Sequence, residues 1–217
     1  MKETELAEKI IEWLSAEHWN IYQEVQFSGI GGVADIVAER QGILWIVETK
    51  TAMSIEVLNQ ASAWPAHFRS IGVPKVRRSD KRDYRVARDY YGVGVIEVSD
   101  WDVYESLKPP LYLKHHKTAK RLLSKLTELH KTYAKAGSQN GHLTPYKMTM
   151  MDIQRTVKER PGCTISDLFE KHGPMHYSNK SSFKGNMLKC LESFESDWCR
   201  VDKSTKPYRL YVRDRLA

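Results

Sequence analysis

Two hydrophobic rhythms alternate along the chain, and the switches between them outline its elements. Leu6, Ile10, Trp13 and Leu14 recur at helical spacing among glutamates, which predicts an amphipathic helix over residues 3–19. Residues 21–27 then alternate in the manner of a strand. Two apolar, β-rich runs follow at 32–38 and 43–50, separated by Glu39-Arg40-Gln41-Gly42, whose polarity and closing glycine predict a hairpin. Ser54 can cap a helix running to Phe68 that carries Ile55, Leu58, Ala61 and Trp64, with Pro65 expected to kink or end it. A short helix over 83–91 and a buried strand over 92–98 complete a first region in the order helix, three strands, helix, strand.

Beyond residue 107 the rhythm turns helical and basic. Leu122, Leu123, Leu126, Leu129 and Tyr133 form the apolar stripe of an expected helix over 114–135 that closes a first domain of residues 1–135. Its remaining sides carry mostly Lys114, Lys117, Lys120, Arg121, Lys125, Lys131 and Lys135. Residues 136–142 have the composition of a linker, and 136–147 is the expected boundary. Residues 148–217 form the second domain. Its pattern predicts a helix that stops at Arg160-Pro161-Gly162 and a second from Thr164 that ends at Gly173-Pro174. A third, opened by Ser178 and Asn179, turns Phe183, Met187, Leu188 and Leu191 inward, and two strands flank residues 202–207. Helix, helix, helix, hairpin is the winged-helix order, and the segment resembles that DNA-binding class broadly.

The strands carry the candidate chemistry. Alternation turns Glu48 and Lys50 to one side with Leu44 and Ile46, and the hairpin can bring Asp35 beside them. Two carboxylates and an ammonium at one spot are costly to bury unless they share a metal or a substrate, a structural ion pair being the alternative. Such a set suits metal-assisted phosphodiester hydrolysis. Mg²⁺ takes oxygen ligands and keeps several waters, and a nearby lysine orients a water or neutralises developing charge.

Ala34-Asp35 followed by Glu48-Thr49-Lys50 resembles the PD-(D/E)XK nuclease superfamily, with alanine where proline often stands. Residues 31–38 and 46–50 are locally similar to the archaeal Holliday-junction resolvases within it. The resemblance implies an α/β fold with a restriction-endonuclease-like αβββαβ core. It implies Mg²⁺, with Mn²⁺ able to substitute, held by Asp35, Glu48 and the Thr49 carbonyl; alternation turns the Thr49 side chain away from the metal. It further implies a metal-binding glutamate on the first helix. Glu5, Glu8 and Glu12 compete for that role, and Glu8 is favoured because Ile11 and Leu14 follow it on the inward side; a solvated helix face is the alternative. Gln60, ten residues after Lys50, matches a glutamine of the RecB-like branch, with Trp64 in place of its following aromatic. A plain polar helix residue is the alternative for Gln60.

Charge divides the chain. Residues 1–106 hold 12 Lys+Arg against 17 Asp+Glu, residues 107–144 hold 8 against 1, and residues 145–217 hold 14 against 9. Within the acidic region, Lys75, Arg77, Arg78, Lys81, Arg82, Arg85 and Arg88 crowd together as candidate phosphate contacts, or as a solvated basic loop. In the second domain Asn179, Lys180, Ser181, Lys184 and Asn186 would face bases or phosphates, with Lys203 and Lys206 on the hairpin meeting the backbone. Cys163, Cys190 and Cys199 lack zinc spacing, and no apolar run is long enough to span a membrane, so a cytoplasmic protein is expected. The expectation is a metal-dependent DNA endonuclease targeted by a winged helix. It would act as a homodimer or within a larger recombination, transposition or restriction assembly. The competing readings are a catalytically silent DNA-binding or regulatory protein and a protein-interaction adaptor.

Overall fold

A computed structural model describes residues 1–27, 30–76, 81–137, 141–173 and 179–213. The chain divides into two compact units, Met1–Thr144 and Pro145–Ala217. The first is built on a six-stranded mixed sheet in sequential order: β1 (Asn20–Gln26), β2 (Val33–Arg40), β3 (Ile43–Thr49), β4 (Phe68–Pro74), β5 (Gly94–Val98) and β6 (Val103–Leu107). β1 to β3 form an antiparallel meander, β3 to β5 are parallel, and β6 returns antiparallel. The β2–β3 hairpin turns through Gln41 and Gly42, both left-handed at φ 52° and 79°, the two-residue geometry whose twist matches that of the strands.

Helix α1 (Glu3–Ala16) covers one face, seating Leu6, Ala7, Ile10 and Leu14 on Ile36, Ala38, Trp45, Val47 and Ile96. On the other face α2 (Ile55–Ala63) packs Val57, Leu58 and Ala61 against Ile71, Val73 and Val95. Helix α4 (His116–Leu123) adds Ala119 and Leu122 to a cluster with Val25, Val37, Leu44, Ile46 and Trp64. Between β4 and β5 lies α3 (Lys81–Val86), followed by a wide helical turn over Ala87–Tyr91.

Several element boundaries differ from those expected. Helix α2 stops at Ala63, short of Phe68 and at the break expected from Pro65, because Trp64 takes the extended conformation (ψ 129°) that a following proline ring demands. Phe68, expected as the last residue of that helix, instead opens β4, whose remaining residues carried no expectation. The helix expected over 114–135 is broken into α4 and the single turn α5 (Leu129–Thr132). There the Thr127 N–H donates to the buried His130 Nδ1 at 3.1 Å instead of to a carbonyl one turn back. The segment expected to be a linker is also partly docked: Ala136 and Leu143 are buried, and Leu143 bridges to Val25.

The second unit contains α6 (Pro145–Glu159), β7 (Cys163–Thr164), α7 (Ile165–His172), α8 (Lys180–Ser193), β8 (Cys199–Asp202) and β9 (Arg209–Val212). Its three strands form a small antiparallel sheet in the order β7-β9-β8. Met150, Ile153, Val157, Leu168, Phe183, Met187, Leu191 and Leu210 make a core of its own. Helix α6 begins earlier than the expected Thr149 or Asp152, with Pro145 in the first turn where its missing N–H costs nothing. Among the described residues no helix is long and apolar enough to cross a membrane.

Candidate functional site

The β2–β3 ladder ends with Ile36 opposite Val47, and continuing its register sets Asp35 opposite Glu48. Beyond that pair a carboxylate takes over from the backbone. Asp35 Oδ2 accepts the Thr49 N–H at 2.7 Å and the Thr49 hydroxyl at 2.9 Å. Thr49 therefore turns its hydroxyl onto Asp35, where strand alternation had its side chain pointing away from the metal. Asp35 Oδ1 accepts no hydrogen bond among the described residues.

Glu48 is fully buried, and both of its oxygens are held. Oε1 accepts the Trp64 indole N–H at 2.6 Å and Oε2 accepts the Gln60 amide at 2.8 Å. Gln60 thus reaches the site from α2, but what it holds is Glu48. Lys50 donates to Glu3 Oε2 at 3.2 Å. Glu8 does not enter: it pairs with Lys135 at 3.2 Å on the surface, since it projects from α1 away from the buried stripe. Glu5 caps its own helix by accepting the Lys2 N–H, and Glu12 is exposed.

A further carboxylate joins from β1. Gln23 lies opposite Ile36 and Val25 opposite Ala34, so Glu24 faces Asp35. Glu24 is buried, left-handed at φ 49°, and accepts the Gly137 N–H at 2.9 Å. Holding a glutamate in that conformation costs about 1–3 kcal/mol, and it persists because its surroundings over-determine it.

The electrostatics follow from burying this much acid around one ammonium. Burial, reinforced by the Asp35 charge, pushes Glu48 from its ordinary 4.5 up to about 8, against the Trp64 hydrogen bond. Burial and Asp35 likewise push Glu24 up to about 7. Burial raises Asp35 as well, against its two hydrogen bonds from Thr49. Partial burial works to lower Lys50, but the Asp35 charge and the Glu3 hydrogen bond hold it above the ordinary lysine value. The cluster is an excess of carboxylate with a deficit of cation. Among the described residues no group of three or more His, Cys, Asp or Glu side chains is gathered tightly enough to hold a metal ion by themselves.

The expected nucleic-acid contacts are dispersed. Arg77 and Arg78 lie outside the described residues, as do the side chains of Lys81 and Arg82. In the second unit Asn179 spends its side chain capping α8, its Oδ1 accepting the Ser182 N–H at 2.8 Å. Lys180 pairs with Glu170 at 3.8 Å and Lys203 with Glu192 at 2.6 Å. Ser181, Lys184, Asn186 and Lys206 are exposed, and Lys184 and Lys206 flank an open cleft of about 290 Å³ with Ser166, Leu188 and Tyr208.

Sequence reasoning passed over Glu3 and Glu24. Glu3 stands three, four and seven residues before Leu6, Ala7 and Ile10, so helical periodicity already put it on the inward stripe. Glu24 gave no such sign, because its position depends on a left-handed turn within a strand.

No protein-family model matches the chain, and no curated protein matches it. Among solved structures, it is similar to the SPO1766 protein of unknown function from Silicibacter pomeroyi, at 13% identity and a TM-score of 0.39, over 57% of this chain and 85% of that one.

Proposed function

We propose that the protein is a metal-dependent DNA endonuclease of the PD-(D/E)XK type, its second unit acting as a winged helix that targets it to DNA. The observation that carries the reading is the facing of Asp35 and Glu48 at the end of the β2–β3 ladder, with Lys50 beside them and too few cations for the carboxylates buried there. The donor set fits Mg²⁺. It consists of hard oxygens, and one or two carboxylates are what that ion usually takes from protein while keeping its waters. Asp35 Oδ1 accepts no hydrogen bond among the described residues, Glu48 is held in place by Trp64 and Gln60, and the Thr49 carbonyl would be the remaining ligand. Bound there, the ion would polarise a phosphoryl oxygen and acidify a water.

The chain's own residues do the rest. Asp35 and Glu48 supply the carboxylates, and because burial disfavours their charged forms, a proton or a bound cation offsets them. Lys50, kept protonated by Asp35 and Glu3, neutralises charge that develops on the phosphate. Exposed Lys184 and Lys206 on the second unit meet DNA phosphates.

A second reading, DNA binding without cleavage, draws on the two hydrogen bonds that already occupy Glu48. The deciding experiment incubates the protein with plasmid and short branched DNA in Mg²⁺ or Mn²⁺ and then in EDTA. Metal-dependent cutting that Asp35→Ala and Lys50→Ala both abolish supports the nuclease. Salt-sensitive binding with no cutting in either metal selects the second reading. No affinity for nucleic acid at low salt leaves a protein-interaction adaptor.

A further inference from the structure

Gln23 and Glu24, adjacent on β1, grip the same passing segment. The Gln23 amide donates to the Lys131 carbonyl at 3.1 Å and accepts the Ala136 N–H at 3.0 Å. Glu24 accepts the next N–H, that of Gly137, at 2.9 Å. The strap so held is pressed against the start of α1. Gly137 is left-handed at φ 71°, and a Cβ built on it would come within 2.8 Å of the Glu3 carbonyl carbon and 3.0 Å of the Thr4 nitrogen. From that same turn Glu3 reaches Lys50. A continuous line of contacts therefore runs from the Glu24 carboxylate through Gly137 and the first turn of α1 to Glu3 and the Lys50 ammonium.

The conformation of Glu24 is unusual for its place in a strand. At φ 49° a strand residue would ordinarily be Gly or Asn, yet a buried glutamate stands there, opposite Asp35. An incidental strand residue has no reason to combine a left-handed backbone, burial and a carboxylate aimed at one backbone amide.

We propose that Glu24 is a positioning residue of the candidate site: by fixing Gly137 against the first turn of α1 it sets Glu3, and through Glu3 sets Lys50, relative to Asp35 and Glu48. The effect on cleavage rests on the nuclease reading, whereas the contact chain does not.

The test uses the full chain and three variants. Glu24→Gly removes the carboxylate while suiting the left-handed backbone, so it is not expected to unfold the protein. Glu24→Gln keeps an acceptor for Gly137. Gly137→Ala leaves Glu24 intact but forces the strap off α1. Amide hydrogen exchange is followed at Gly137 and at Leu6, whose N–H bonds to the Lys2 carbonyl. Cleavage of plasmid DNA in saturating Mg²⁺ is resolved into kcat and KM. Glu24→Gly and Gly137→Ala should exchange at both amides at least about tenfold faster. They should also lose about ten- to a hundredfold in kcat with KM for DNA unchanged, since displacing a catalytic group by an ångström costs that much. Glu24→Gln should restore both. Unchanged exchange in Glu24→Gly overturns the proposal, as does faster exchange with unchanged kcat. A Glu24→Gln variant that keeps its protection yet cuts as poorly as Glu24→Gly also overturns it, since charge and not contact would then be at work. If the unsubstituted protein cuts nothing, the nuclease reading falls, and the exchange rates alone decide whether Glu24 holds the strap.

Discussion

Glu48 receives hydrogen bonds from Trp64 and Gln60 and is nonetheless driven up to about 8, because burial and the Asp35 charge outweigh them. The consequence for stability has a definite sign. A carboxyl whose pKa is higher folded than unfolded binds more protons in the native state, so raising the pH between the two values favours unfolding. For Glu48 that window runs from 4.5 to about 8, and for Glu24 from 4.5 to about 7. In EDTA the melting temperature of the first unit should therefore fall as pH rises from about 5 to about 8. Glu48→Gln, which stays neutral, should flatten the slope. A melting temperature that climbs through this window would show that the carboxylates are not raised. Mg²⁺ added near pH 8 should recover the loss, since an ion that binds only the folded site stabilises it. Trp64→Phe isolates one hydrogen bond. It leaves Glu48 Oε1 without a donor and should cost about 1–3 kcal/mol near pH 8 by denaturant titration, and less near pH 5, where Glu48 needs no donor. At this scale Asp35, Glu48 and Lys50 could be read from strand alternation alone. Glu3 could have been read from the helical stripe, and Glu24 could not, since nothing in Gln23-Glu24-Val25 announces a positive φ.

The elements divide by how much tertiary context each one needs. The β2–β3 hairpin was legible because alternation and the Gln-Gly turn point the same way. Strand β4 was not. Phe68-Arg69-Ser70-Ile71-Gly72-Val73-Pro74 carries an arginine, a serine, a glycine and a proline, and becomes a strand because β3 and β5 pair with it on either side. Arg69 is tolerated inside the sheet because its guanidinium stacks 3.9 Å from the Tyr112 ring centre and donates to the Ser62 carbonyl. The basic helix failed differently: Leu122, Leu123 and Leu126 of its apolar stripe pack inward, but Tyr133 is exposed, and the helix is broken at Thr127 by a buried histidine that periodicity does not register. Helix α4 still works as a lid on the sheet, and Leu122 is the residue that does it, fully buried among Leu44, Ile46 and Trp64. Leu122→Ala should cost about 2–5 kcal/mol, a lost side chain plus the cavity it leaves. The check is a shifted denaturant midpoint at constant m-value. A cost below about 1 kcal/mol would mean that α4 is not part of the folded core.

The two units keep separate cores: the clusters of the first end at Ala136, and that of the second begins at Met150. A chain ending at Thr144 therefore keeps its whole sheet and should melt cooperatively, close to the first unit's transition in the full protein. The same cut separates chemistry from targeting under the proposed function, because Asp35, Glu48 and Lys50 stay with the first unit. It should still cut DNA in Mg²⁺, with weaker binding. The salt dependence of binding then measures what the second unit contributes. Each phosphate neutralised adds about 0.9 to the slope of log affinity against log salt on duplex DNA. Lys184 and Lys206 have no ion pair among the described residues, whereas Lys180 and Lys203 must leave Glu170 and Glu192 before they can meet a phosphate. Removing the second unit should thus lower the slope by about 2 if only the unpaired lysines engage and by about 4 if all four do. Substituting Lys184 and Lys206 with alanine in the full chain should account for the first of these amounts by itself. A slope that the cut leaves unchanged would take DNA binding away from the second unit and give its exposed cleft to a protein partner instead.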